Sequence, residues 1–155
     1  MRSTFTKLGS LAAAAMLGFT VAQPAQAEQH TTGEKRAAAV TPAYFEMTDG
    51  YSRKNLVVKL VKEAQIDHAR ELVSGATYER PHLIGRLSKR QADYSPNYNF
   101  HFEPDSVGFF DYAIEVCDAT LQYTEDNLDE VGGPFLPGRI YCPWSSRLIK
   151  EVPAP

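Results

Sequence analysis

The sequence has little cysteine and none of the short motifs that mark the common enzyme classes. Its 155 residues include two cysteines and one tryptophan. It has no C-x-x-C or C-x-x-H spacing, no H-E-x-x-H, no G-x-S-x-G, and no P-loop or dinucleotide-binding glycine pattern. These absences argue against a zinc finger, a zinc peptidase, an α/β-hydrolase and a nucleotide-binding enzyme. The regular calcium-loop pattern is also missing, and "DNLDEVGG" is only a weak approach to it.

The sequence also lacks an apolar run long enough to cross a membrane. The run at residues 8–22 is shorter than the roughly 20 residues that a spanning helix needs. It follows a basic start and precedes small residues at Ala25 and Ala27, which is typical of a cleavable secretory signal. The sequence therefore predicts a signal peptide at residues 1–27. The remaining protein is predicted to be secreted or periplasmic, with no membrane segment after cleavage.

Basic residues are not in excess, because the net charge is −3. This balance does not match the basic footprint of a nucleic-acid-binding domain. Residues 53–90 hold nine basic and four acidic residues, whereas residues 103–130 hold nine acidic residues and no lysine or arginine. The acidic segment has two interpretations, a solvated face or a face that binds cations or docks a partner. Calcium remains open as a ligand, and no other metal or cofactor is predicted.

The two cysteines are expected to pair. In an exported protein of this size, an even number of cysteines usually indicates a disulfide. A bridge between Cys117 and Cys142 would close a loop of about 26 residues and contribute about 3 kcal/mol. The alternative is a reactive thiol or a two-cysteine metal site.

Hydrophobic periodicity predicts one small α+β domain at residues 43–152, after a flexible arm at residues 28–42. We expect a mainly antiparallel sheet with two helices packed on one face and one disulfide. The predicted helices are "KEAQIDHARELVSG" and "TLQYTEDNLDEVGG", the second capped by Thr120 or Thr124. The predicted strands are "AYFEMT", "NLVVKLV", "PHLIGRLSKR", "YNFHFEP", "FFDYAIEVC", "RIYCPW" and "SRLIKEV".

Two of these strands carry more specific expectations. Alternation in "FFDYAIEVC" places Phe110, Tyr112, Ile114 and Val116 on one face. The segment "RKNLVVKLVK" would be a basic amphipathic calmodulin target if it were helical. Its β-branched residues favour a strand instead.

Carboxylates supply the candidates for catalysis. Glu115 and Asp118 flank Cys117 and could act as acid and base if burial separated their pKa values. Alternatively, Glu115 pairs with an arginine and Asp118 caps the turn after the cysteine. Glu103 with His101 is a further set for a small secreted hydrolase.

The segment "YCPWSS" predicts either a buried anchor or a rigid contact residue at Trp144. We favour a protein-binding surface made of the proline-rich loop and the acidic helix. Its candidate residues are Pro134, Phe135, Leu136, Arg139, Tyr141, Trp144, Glu125, Asp126, Asp129 and Glu130. A bridged loop is also preorganised for protease inhibition, and Arg139 would then be the inserted side chain.

The strings "AIEVCDA" and "LPGRIYCPWSS", with "YNFHFEPDSVGFF" before them, resemble a family of small exported bacterial proteins known as calmodulin-binding proteins. That family is similar to a domain of an amoebal calmodulin-binding protein, and the resemblance covers residues 43–152. It implies that Cys117, Cys142, Pro143 and Trp144 are shared features of the fold. It also implies a protein partner, and it supplies no catalytic residues. The sequence therefore predicts an exported protein-binding module.

Overall fold

The structure is a computed structural model that describes residues 39–113 and 115–155. The predicted signal peptide, most of the predicted arm and Ile114 lie outside the described residues. Residues 39–42, the end of the predicted arm, are exposed and form no regular element.

The fold is α+β, with two α-helices, mostly antiparallel strands and one disulfide, as the sequence predicts. The elements in chain order are β1 (Ala43–Thr48), β2 (Leu56–Leu60), α1 (Glu63–Ser74), β3 (His82–Ser88), β4 (His101–Phe102), β5 (Gly108–Phe110), α2 (Leu121–Asp126), β6 (Val131–Gly132), β7 (Phe135–Pro137), β8 (Ile140–Tyr141) and β9 (Arg147–Val152). Short 3-10 turns span Pro104–Ser106 and Glu115–Cys117.

One sheet has the order β2-β1-β9, and both of its pairings are antiparallel. Burial alternates along β1 and β2, so Phe45, Met47 and Val58 enter the core while their neighbours are partly exposed. Helix α1 packs against β9 and buries Ile66 and Ala69. The segment predicted as either a strand or a calmodulin-target helix contains β2, so the helical interpretation is wrong.

The second sheet is built around β3, which pairs antiparallel with β4, β5 and β8. Its buried side chains include Leu83, Leu87, Phe102 and Tyr141, and they join the core of the first sheet. Strands β6 and β7 form a separate parallel pair. The buried members of the predicted strand "YNFHFEP" are in the core, although only His101 and Phe102 form a regular strand.

The predicted strand "FFDYAIEVC" is wrong beyond Phe110. Strand β5 ends there because Phe110 pairs with His82, the first residue of β3, so the following residues have no partner strand. Tyr112 is 86% exposed and Val116 is 62% exposed, although the alternation placed them on a common inner face. The cysteine at the end of this segment lies in a 3-10 turn.

The second predicted helix is also shorter than expected. Thr120 caps α2 as predicted, because its hydroxyl oxygen accepts the Tyr123 N–H at 3.1 Å. The helix ends at Asp126, six residues before Gly132. Acidic residues in a last turn face the negative end of the helix dipole, and aspartate and asparagine form helices poorly. No helix in the described part of the chain is long and apolar enough to span a membrane.

Candidate functional site

The predicted disulfide between Cys117 and Cys142 is present. It joins the turn before α2 to the residue that follows β8, with the two Cα atoms 5.1 Å apart. A backbone hydrogen bond from Cys142 N–H to the Cys117 carbonyl, at 2.8 Å, supports the same connection. Both cysteines are buried, so the bridge fixes the backbone on either side of it.

Trp144 lies two residues after the bridge, in a cluster of rings. Its ring centroid is 5.8 Å from that of Phe110, 5.7 Å from that of Tyr112 and 6.2 Å from that of His82. The ring is half-buried, and its buried Nε1 has no hydrogen-bond partner within the described ranges. The sequence left open an anchor or a contact residue, and the structure gives Trp144 features of both.

An open cleft of about 370 Å³ adjoins this ring. Its lining residues are Tyr51, Asp118, Ala119, Thr120, Trp144 and Ser145. Tyr51 is 78% exposed and Asp118 is exposed, so both side chains are available to a ligand. We use the name aromatic corner for Tyr51, Tyr112 and Trp144, which share this exposed region through the cleft and the ring contact.

A buried aspartate holds Tyr51 in this place. The Asp49 carboxylate accepts the N–H groups of Tyr51 at 2.9 Å and Ser52 at 2.7 Å, and the Ser52 hydroxyl at 2.7 Å. It also accepts the Leu121 N–H at 2.7 Å, which ties the turn to the first residue of α2. Burial alone would raise the pKa of Asp49, but the hydrogen bonds from Ser52, Leu121 and Tyr51 outweigh it and lower that pKa.

Hydrogen bonds also fix the other side of the cleft. Asp118 accepts the Trp144 N–H at 2.9 Å, which resembles the turn-capping role that the sequence offered as an alternative to catalysis. The Ser146 hydroxyl accepts the Leu83 N–H at 3.0 Å, and His82 Nδ1 donates to the Ser146 carbonyl at 3.1 Å. The segment after the disulfide is therefore bonded both to the start of β3 and to the turn before α2.

The predicted loop surface is only partly exposed. Pro134 is exposed, and Phe135 is half-buried with its ring centroid 5.4 Å from that of Tyr123. Leu136 and Tyr141 are buried, so they support the loop from below. The Tyr141 hydroxyl donates to the Ala119 carbonyl at 3.0 Å, and burial raises the pKa of this hydroxyl.

Arg139 is held against the domain. Its Nη1 donates to the Leu87 carbonyl at 3.0 Å and lies 2.9 Å from a Glu103 carboxylate oxygen. Arg86 lies 3.7 Å from the other oxygen of the same carboxylate. The guanidinium proposed as an inserted side chain is therefore engaged within the protein.

The acidic candidates follow or belong to α2. Glu125 is half-buried and accepts the Asn99 N–H at 2.9 Å, while Asp126 accepts from the Gln122 amide at 2.8 Å. Asp129 and Glu130 are exposed. Among the residues that the structure describes, no group of three His, Cys, Asp or Glu side chains is placed to hold a metal ion.

The catalytic candidates do not form a defined acid–base pair. His101 and Glu103 line one open groove of about 720 Å³, but His101 Nδ1 donates to the Arg90 carbonyl at 2.6 Å. Glu103 is paired with two arginines. Asp118 is bonded to the backbone of Trp144. The side chain of Glu115 is outside what the structure describes.

Sequence reasoning did not identify Tyr51 or Tyr112 as surface residues. Tyr51 follows the Asp49-Gly50 turn signal, and a turn tip is an exposed place for an aromatic ring. Tyr112 follows Asp111 in a segment with a strand-like alternation, which favoured the wrong side of the sheet. The end of β3 controls its exposure, and that end cannot be read from the local pattern.

The fold and this corner define a small disulfide-bridged α+β domain with an exposed aromatic surface. Residues 41–155 match the family model of the BP-74 N-terminal domain, and the chain belongs to this family. The family's name is of the calmodulin-binding type, which agrees with the class that the sequence motifs indicate. No curated protein and no solved structure matches the chain.

Proposed function

We propose that this chain is an exported protein-binding module and that the aromatic corner is its contact surface. The observation that carries the proposal is the exposure of Tyr51 and Tyr112 around Trp144 on a backbone fixed by a disulfide. Tyrosine and tryptophan are enriched among the residues that dominate protein interfaces. Because the backbone is already fixed, partner binding would cost little additional ordering of the chain.

The residues predicted from the sequence surround this surface in different roles. Trp144 is part of the aromatic corner. Pro134 and Phe135 provide a second exposed apolar contact beside Tyr123. The exposed acids Asp126, Asp129 and Glu130 would form a polar rim, which is the usual composition at the edge of an interface. Leu136 and Tyr141 support the surface without contacting the partner.

Export and partner class have separate support. A disulfide between buried cysteines suits an oxidising compartment, and the N-terminal pattern is typical of a signal peptide. The family name suggests a protein partner of the calmodulin type. Because β2 is a strand, such a partner would not bind "RKNLVVKLVK" as an amphipathic helix.

Affinity capture tests the surface. The disulfide-intact chain is immobilised, and proteins retained from secreted and periplasmic extracts, and purified calmodulin, are measured with and without calcium. We expect saturable retention of a defined partner by the native chain and loss of retention after combined Tyr51→Ser and Tyr112→Ser. The matched control is Tyr78→Ser, because Tyr78 is 98% exposed and has no ring contact in the described parts of the chain.

Two results would contradict the proposal. Equal retention by the native chain and the double variant would place the contact surface elsewhere. Retention of no defined partner would remove the binding function itself. Export is tested separately by the intact mass of the secreted product, which should begin at Glu28.

A further inference from the structure

We propose that the cleft between Tyr51 and Trp144 is a binding site for a lysine or arginine side chain of the partner, with Asp118 as the counter-charge. This inference rests on the proposed function and specifies the partner's chemistry. The cleft places two aromatic residues and one exposed carboxylate around an open volume of about 370 Å³. That volume is within the range of sites that hold ligands.

The aromatic residues suit the stem and the charge of a basic side chain. A cation is attracted to the face of an aromatic ring, and tryptophan gives the strongest attraction. The aliphatic part of lysine or arginine packs against apolar surface while the charged head remains near water. Tyr51 is exposed and Trp144 is half-buried, so both rings have surface available for these contacts.

Asp118 supplies the complementary charge. One of its carboxylate oxygens accepts the Trp144 N–H, and the other makes no hydrogen bond in the described portion of the chain. No lysine, arginine or histidine lines the cleft. Arg53 and Lys54 lie two and three residues after Tyr51, but neither is among its lining residues. The carboxylate is therefore available to a cation from outside.

The same features disfavour other ligands. An anion in the cleft would face the Asp118 carboxylate, and like charges repel. A purely apolar side chain would remove water from that carboxylate without offering it a partner. The lack of lysine and arginine throughout residues 103–130 extends the preference for a basic partner to the segment that carries Asp118.

Trp144 provides a direct readout because it is the only tryptophan of the chain. The disulfide-intact full chain is titrated with acetyl-Gly-Lys-Gly-amide and with its arginine analogue while tryptophan fluorescence is recorded. We expect a saturable change that weakens as salt is added. The norleucine and glutamate peptides should bind at least about threefold more weakly, because they lack the positive charge. Equal binding of the norleucine peptide would overturn the inference.

Variants separate the charge from the structural role of Asp118. Asp118→Asn keeps an oxygen for the Trp144 N–H and should weaken the lysine peptide by about three- to tenfold. Tyr51→Ala should weaken it by a similar factor, whereas Tyr51→Phe retains the ring and should bind as the native chain does. Unchanged affinity of the Asp118→Asn variant would also overturn the inference.

The two proposals can fail separately. If a captured partner is retained equally by Asp118→Asn and is not displaced by the lysine peptide, the basic-side-chain site is wrong and the binding module stands. If the lysine peptide binds as described but no defined protein is captured, the cleft stands and the protein-binding function is wrong.

Discussion

At the scale of single residues, Asp49 does more for the site than any residue the local sequence pattern marks as functional. Its buried carboxylate bonds to its own turn and to Leu121, 72 residues further along the chain. The Asp49-Gly50 pair predicts the turn, and Gly50 has the expected positive φ of 76°. No local pattern indicates that the second carboxylate oxygen also bonds to the start of α2, since the contact depends on the whole fold.

Asp49→Asn should lower the free energy of unfolding by about 2 kcal/mol at pH 7. The amide would present a donor to the Leu121 N–H and the Ser52 hydroxyl, or leave one of them without an acceptor. Urea denaturation measures the difference. The exposed Asp93→Asn variant is the control and should unfold at the native urea concentration.

The same carboxylate predicts a pH dependence. Its pKa in the folded protein is below the ordinary 3.8, so the stabilisation from its ionised form is present above pH 3.8. That stabilisation is lost as the pH falls through the folded pKa. The stability difference between the native chain and Asp49→Asn should therefore narrow below about pH 3.8. Parallel stability curves from pH 7 to pH 3 would show that the charge has no such role.

At the scale of elements, β3 organises the second sheet because it pairs with three other strands. Gly85 lies at its centre, and a Cβ atom there would come within 2.8 Å of the Phe102 ring. That ring stacks on Tyr141, with centroids 5.5 Å apart, and both rings are buried. The sequence suggested a bulge at Gly85, but the glycine instead allows an aromatic ring to lie directly against the strand.

Gly85→Ala should therefore destabilise the protein by about 2 kcal/mol, since the Phe102 ring has no free space to move into. Gly108→Ala in the neighbouring strand is a matched control, because its new Cβ would meet Ile84 at an ordinary 3.7 Å. Urea denaturation of both variants checks the difference. Equal stability of the two alanine variants would mean that the Phe102 ring shifts at little cost.

The elements that the sequence predicts well are those defined by their own periodicity. The core faces of β1 and β2 follow an alternation of period two, and α1 ends at Gly75 with a positive φ of 75°. The errors lie at the ends of β5 and α2. In β5 the available partner strand determines the end, and in α2 the end coincides with a run of poor helix formers. Apolar spacing reports neither condition.

At the scale of the whole molecule, the last third of the chain joins the two sheets. Strand β8 pairs with β3, and β9 returns to pair with β1 at the centre of the other sheet. The disulfide and Trp144 lie in the short connection between β8 and β9. The sequence identified Cys117, Cys142 and Trp144 correctly as one corner. It could not bring Tyr51 to that corner, because Tyr51 arrives there through the pairing of distant elements.

The disulfide should therefore control stability and the form of the aromatic corner together. Replacing both cysteines, Cys117→Ala with Cys142→Ala, should lower the free energy of unfolding by about 3 kcal/mol, since the unfolded chain loses its cross-link. For a domain of this size the melting temperature should fall by about 10 °C. The loop beside Trp144 would also lose its anchor, so tryptophan fluorescence should shift towards that of an exposed ring.

Reductant distinguishes this cause from a packing defect. The native chain treated with dithiothreitol should match the double alanine variant in melting temperature and fluorescence, and the variant itself should not respond. A native chain that keeps both values after complete reduction would show that hydrogen bonds such as Cys142 N–H to the Cys117 carbonyl are sufficient to hold the corner. Binding would then not depend on an oxidising compartment, and the structural argument for export would lose its main support.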